Sequence, residues 1–98
     1  MAITVSLPAC LTLGDARAAL ERLAPQVDAG PAGAPVVIDA GALAQFDSSA
    51  LAVLVGLHRR AAATGRTLRI EALPDRLGEL ARVYGVTELV LQGRQGDA

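Results

Sequence analysis

Residues 36–40, VVIDA, form an apolar run closed by an aspartate, with a segment of helical period on either side. Such a run is short enough for a strand, and apolar residues without alternation are how a strand covered on both faces reads. VVIDA is therefore expected to be a central strand, which needs further strands beside it, reached through crossover helices. Candidates for those strands are present. Ile3, Val5 and Leu7 alternate with Thr4 and Ser6; Pro8 interrupts, and Leu11 and Leu13 resume, which reads as two short strands joined by a turn, an N-terminal hairpin. Leu68, Ile70 and Ala72 alternate with Arg69 and Glu71 as a further strand. VTELVL, residues 86–91, reads as a last docking segment, and residues 92–98 as a flexible tail.

Between these runs the period changes. Ala16, Ala19, Leu20, Leu23 and Val27 share one helical face, with Asp15 placed to cap the first turn. Pro25 requires that helix either to end near Leu23 or to kink there, because proline removes a hydrogen bond and crowds the preceding turn. DAGPAGAP, residues 28–35, is a loop by composition. A second helix is expected from about Ser48 to Thr64, stopping at Gly65. A third opens at Pro74 and Asp75, places Leu77, Leu80, Ala81 and Tyr84 on one face, and ends at Gly85. Strands alternating with helices in this way imply right-handed crossovers and a mostly parallel sheet. The fold class is α/β, in one domain spanning residues 1–98 with its core at about 3–91 and about three main helices.

Composition excludes several functions. The formal net charge of −1 offers no basic footprint for nucleic acid. The nine basic residues are all Arg and twenty residues are Ala, a bias read as that of a GC-rich bacterial genome. One Cys and one His cannot supply the four ligands of a protein-only zinc site, so neither a metal nor another cofactor is expected. LPAC at residues 7–10 looks superficially like a lipoprotein cleavage site, but no basic residue precedes it and its apolar lead is too short for a signal peptide. No apolar run approaches the ~20 residues that span a bilayer. A soluble cytoplasmic domain is expected.

The chemistry-bearing stretch is QFDSSALAVLVGLHRR, residues 45–60. Two serines beside Asp47 could be a nucleophile, a phosphorylation switch or the start of a helix. Hydrolysis needs a base within reach of the hydroxyl. The single histidine, His58, lies about ten residues further along the same helix, or ~15 Å at 1.5 Å per residue. DSSA also lacks the Gly-x-Ser-x-Gly elbow of a hydrolase, and no glycine-rich phosphate loop is present. No catalytic residue is assigned, and the chain is not expected to be an enzyme. A phosphate on Ser48 or Ser49 would meet free amides and the positive end of the helix dipole, while Asp47 would repel it.

Around this helix Ala50, Leu51, Leu54, Leu57 and Ala61 gather on one side, the expected core. Ser48, Ser49, Ala52, Gly56, Arg59, Arg60 and Ala63 lie opposite, with Val53 and Val55 at the two edges. For two turns the outer face carries only small residues, where a solvated helix would carry Glu, Lys and Gln. Gly56 gives up ~1 kcal/mol of helix propensity relative to Ala. Such a flat face lets another helix approach closely, although an alanine-rich genome would also fill exposed positions with Ala. Arg59, Arg60 and Arg66 read as a solvated helix end.

VVIDAGAL, FDSSALAVLVGLHRRA, GRTLRIEALP and LGELARVYGV together resemble the STAS domain, the fold of bacterial anti-sigma factor antagonists, over about residues 3–91. Two branches of that superfamily share features with the chain. In the antagonists, the hydroxyl matching Ser49 is phosphorylated by a partner kinase and acts as a binding switch, though these proteins usually carry Gly where this chain has Ala50. In the MlaB-like branch, a subunit of a phospholipid ABC transporter that maintains outer-membrane lipid asymmetry, the hydroxyl matching Ser48 lies where the cytoplasmic ATPase docks. The run from Leu57 to Val90, with its Leu-Pro opening and Tyr-Gly-Val close to the third helix, is more similar to the second branch. That resemblance implies a non-enzymatic subunit at the inner face of the inner membrane. Its ATPase partner would meet Ser48, Ser49, Ala52, Gly56 and Arg59, with Asp47 capping the helix. The alternative partner is an anti-sigma factor kinase.

Overall fold

The computed structural model describes residues 2–86. Most of the docking segment at 86–91 and the whole tail at 92–98 lie outside the described residues. In chain order the elements are β1 (Ile3–Ser6), β2 (Cys10–Leu11), α1 (Ala16–Val27), β3 (Val36–Asp39), β4 (Gln45–Phe46), α2 (Ser49–Ala63), β5 (Leu68–Glu71) and α3 (Asp75–Val83). One sheet has the order β1-β3-β5 with both pairings parallel, and β2 pairs with β4 in a second, two-stranded parallel sheet. The α/β class with a parallel sheet and three helices is as expected.

VVIDA supplies the central strand, but among the described elements only one of its faces is covered. The chain steps in one direction from β1 to β3 to β5, and right-handed crossovers then place α1 and α2 on the same side of the sheet. Beneath them run the cross-strand rows Ile3–Val36–Leu68 and Val5–Ile38–Ile70. The opposite rows are Thr4–Val37–Arg69 and Ser6–Asp39–Glu71, so β3's neighbours make that face polar whatever β3's own composition suggests. An apolar run reports one strand, whereas the polarity of a sheet face is set by three.

The N-terminal hairpin is not formed. Leu7 donates its N–H to Asp39 O at 2.9 Å, continuing the β1–β3 ladder, and Pro8 then has no N–H to give. Ala9 O accepts from both Ala44 and Gln45, which starts the pairing of β2 with β4. Alternation marks both stretches as strands but does not say which partner each will find. The short strand β4 was not expected at all, because two residues are too few to show a period.

α1 runs through Pro25 to Val27 and does not stop at Leu23. Asp15 makes no capping bond; its carboxylate turns back instead to the Thr12 hydroxyl at 2.8 Å, the Thr12 N–H at 3.3 Å and the Cys10 thiol at 3.1 Å. α2 ends before Gly65, whose φ of +71° lets the Arg66 N–H reach back to Ala61 O at 2.8 Å. α3 buries Leu77 and Ala81, but Tyr84 lies past its last turn and is exposed, not part of the apolar face.

The core joins Val5, Val36, Ile38 and Ile70 of the sheet to Leu23 and Val27 of α1, Leu54 and Leu57 of α2, and Leu77 of α3. The buried side of α2 is Ala50, Leu51, Val53, Leu54, Leu57 and Ala61. Val53, expected at an edge of the outer face, is therefore core. Arg66, expected in solvent, is buried and donates through Nη2 to Gly30 O at 2.7 Å and Pro31 O at 3.0 Å. Arg60 pairs with Asp28 at 2.6 Å.

Candidate partner-docking site

α2 begins where β4 ends, and Asp47 makes the join. Its Oδ1 accepts the Ser49 N–H at 2.8 Å, while its backbone carbonyl accepts from Ala50 at 3.0 Å. Oδ2 reaches out of the helix to the Leu13 N–H at 3.1 Å, in the turn between β2 and α1. One carboxylate thus holds the first turn of α2 and a loop from a distant part of the sequence together. The Ser49 amide above all, with the Leu13 amide and the Ser49 hydroxyl, draws the Asp47 carboxyl below its ordinary pKa, against partial desolvation and the nearby Asp15.

Ser48 occupies the N-cap position with φ −62° and ψ −16°, and its side chain makes no capping bond. The helical backbone at that position explains why, since a capping hydroxyl needs a β-region residue to reach the amides of the first turn. The Ser48 carbonyl accepts from Leu51 at 3.0 Å. The amides of Ser49, Ala50 and Leu51 are consequently all engaged within the chain, and Ser48 presents a hydroxyl that its own helix does not use.

Beyond the serines, the outer side of α2 divides. A Cβ on Gly56 would stand 2.9 and 3.0 Å from the Cδ atoms of Leu20, so the close approach this glycine permits is to α1 of the same chain. The glycine thus has a packing role within the fold that was not expected: a helical wheel shows which residues share a side, not which neighbour covers it. Val53 and Arg60 lie towards the same flank, the first buried and the second paired with Asp28. Ala52 and Arg59 stay exposed and continue the line from Ser48 along the helix. Arg59 also edges a shallow groove between α1 and α2, lined by Leu20, Ala24, Pro25 and Gly56.

Leu13 was missed in the sequence. The alternation Leu11–Leu13 makes it an inward strand residue, yet it is 79% exposed beside Asp47, while Leu11 is buried. The signal that could have found it is the Gly14-Asp15 pair directly after it, which ends a strand and begins a turn.

The arrangement holds no nucleophile in an activated state. His58 rides on α2 itself, and the rigid rise of the helix keeps it from both serines. The Cys10 thiol is pushed above its ordinary pKa, first by its hydrogen bond to the Asp15 carboxylate, and stays protonated. Asp15 is drawn down by the same bond and by those from Thr12. Among the described residues no three His, Cys, Asp or Glu side chains gather as metal ligands, and no helix is long and apolar enough to cross a membrane.

A parallel sheet whose described helices lie on one side, with a half-buried serine pair at the start of the second helix, defines a STAS-type domain of the anti-sigma factor antagonist-like superfamily. The family described as MlaB, STAS domain matches residues 2–92, and the chain belongs to that family. STAS domains are generally non-enzymatic. A search of curated proteins gave no match.

Proposed function

We propose that this chain is a non-enzymatic accessory subunit of a bacterial phospholipid ABC transporter, bound to its ATPase at the cytoplasmic face of the inner membrane. The observation that carries this reading is the start of α2, where the Ser48 hydroxyl, unused by its own helix, stands in line with exposed Ala52 and Arg59. Membership of the MlaB-type family supports an ATPase as the partner of that edge. Ser48 and Ser49 are contact groups, Ala52 keeps the surface low, and Arg59 meets acidic groups at the rim. By binding one arrangement of the ATPase better than others, the subunit raises the population of that arrangement without taking part in chemistry.

The geometry favours contact over a phosphoserine switch. A phosphate on Ser49 would find the amides of the first turn already engaged and would face the Asp47 carboxylate that holds the Ser49 N–H. The test is what copurifies with the tagged chain from its native cells. An ATP-binding-cassette subunit, identified by mass spectrometry, is expected; a sensor kinase together with phosphorylated Ser49 would replace this reading with the switch. Ser48→Arg is expected to keep the wild-type melting temperature and lose the ATPase, and normal binding by a folded variant would refute the interface.

A further inference from the structure

We infer that Leu13 is the apolar anchor of the docking surface, seated in a recess of the ATPase edged by basic groups. This rests on the reading of the chain as an ATPase-binding subunit and names what that reading leaves open: the contact outside α2 and the chemistry of the surface that receives it. Single exposed leucines are common, so exposure alone decides nothing. What sets Leu13 apart is how it is held. Its own N–H is fixed by Asp47 Oδ2 at 3.1 Å. Thr12, just before it, is fixed by Asp15 Oδ2 through both its hydroxyl at 2.8 Å and its N–H at 3.3 Å. The Asp15 N–H closes the turn onto Thr12 O at 2.8 Å. Four hydrogen bonds therefore order a four-residue turn whose most exposed large side chain is a leucine.

A side chain presented on an ordered turn loses little conformational freedom when it is buried by a partner, which is what makes an anchor efficient. Asp47 also bonds the Ser49 N–H, so the Leu13 turn and the start of α2 form one patch and would engage one partner together. The charges on the patch select the receiving surface. The carboxylates of Asp15 and Asp47 both lie at this turn, each held towards its ionised form; of the arginines near it, Arg17 pairs with Glu21 at 3.6 Å and Arg76 lies over the Phe46 ring at 5.8 Å, while Arg59 and Arg60 are two turns or more further along α2. An apolar recess rimmed by Arg or Lys complements that pattern, and an acidic rim would be repelled.

The test measures affinity between the purified full-length chain and the ATPase subunit, for wild type, Leu13→Ala, Leu13→Asp, Asp47→Asn and a control, Val83→Ala. Val83 is also 79% exposed but lies at the end of α3. Leu13→Ala should weaken binding by roughly tenfold or more, the loss typical of an anchor side chain. Leu13→Asp should abolish binding, with circular dichroism and melting temperature unchanged in both. Asp47→Asn can still accept the Ser49 N–H through its amide oxygen but turns an NH2 group towards the Leu13 N–H. It should weaken binding while α2 stays folded, as befits a positioning residue. Raising the salt concentration should weaken wild-type binding, since the rim charges are screened. Leu13→Ala binding within twofold of wild type, or an equal loss from Val83→Ala, overturns the inference and leaves the proposed function standing. If Leu13→Asp instead dissolves a dimer of this chain and leaves ATPase binding intact, the anchor belongs to self-association and the inference also fails. A wild-type chain that does not bind the ATPase removes the proposed function and this inference with it.

Discussion

Asp47 is the residue that ties the start of α2 to a distant loop, because one of its oxygens serves the Ser49 amide beside it and the other the Leu13 amide, 34 residues away. Its position before the helix made it readable as a cap, since an acid in front of a helical period has an obvious local use. The second bond, to Leu13, depends on where β2 brings its loop and is invisible to any local pattern. Asp15 looked equally like a cap and is not one, since a threonine three residues earlier offers both a hydroxyl and an N–H. The depressed pKa of Asp47 has a definite sign for stability. A carboxyl whose folded pKa lies below its unfolded value, near 3.8, stabilises the fold fully above that value and loses the contribution as pH falls through the folded pKa. Thermal midpoints measured from pH 7 down to pH 3 should therefore fall for the wild type chiefly in the lower part of that range. Asp47→Asn should start lower at pH 7 and fall less steeply, with Asp15→Asn adding to the effect. Parallel curves for wild type and both variants would show that these hydrogen bonds do not contribute.

The helix α2 shows how far periodicity reaches. Five of its six buried residues were readable from spacing alone, because a sheet beneath a helix imposes one direction of burial. The burial of Val53 and the contact of Gly56 with Leu20 were missed for a common reason: α1 covers a second flank, and nothing in the sequence of α2 records where a neighbouring helix lies. The structure gives Gly56 a packing position against α1, with separable consequences. In Gly56→Ala the new methyl meets only the flexible end of Leu20, and the ~1 kcal/mol gained in helix propensity should offset the shift, so urea unfolding should place it within about 1 kcal/mol of wild type. Gly56→Leu drives a branched side chain into that contact and should cost ~1–3 kcal/mol. Adding Leu20→Ala to Gly56→Leu should recover part of the loss, since contacting sites are not additive. Strict additivity of the two changes would mean that α1 and α2 do not meet there.

At the scale of the whole molecule, the ends of α2 have opposite characters, and only one was anticipated. Apart from β4, the order of strands and helices, the central strand and the serine-bearing turn are legible, because each is local or periodic. The pairing of β2 with β4 and the closure around Arg66 join positions far apart in sequence: DAGPAGAP is the loop its composition indicates, but an arginine after a helix reads as solvated. In the fold the Arg66 side chain, 5% exposed, donates to the carbonyls of Gly30 and Pro31, and its Nη1 stands 3.9 Å from Asp28 Oδ1. It thereby ties the α1–β3 connection to the α2–β5 connection at the end of α2 remote from the serines. Removing it takes the charged donor from the Gly30 carbonyl, leaves Pro31 O with the Ala34 N–H only and Asp28 with Arg60 alone, and hydrogen bonds from a charged donor contribute ~1.5–3 kcal/mol. Arg66→Ala should therefore lower unfolding stability by about that amount. Arg66→Lys should recover only part of it, because an ammonium does not reproduce the fork of a guanidinium over two acceptors. Binding of the ATPase by the folded fraction should not change, since the proposed contact lies at the other end of the helix. Unchanged stability in Arg66→Ala would show that the loop closes without this residue, and a loss of binding at wild-type stability would place Arg66 at the partner surface instead.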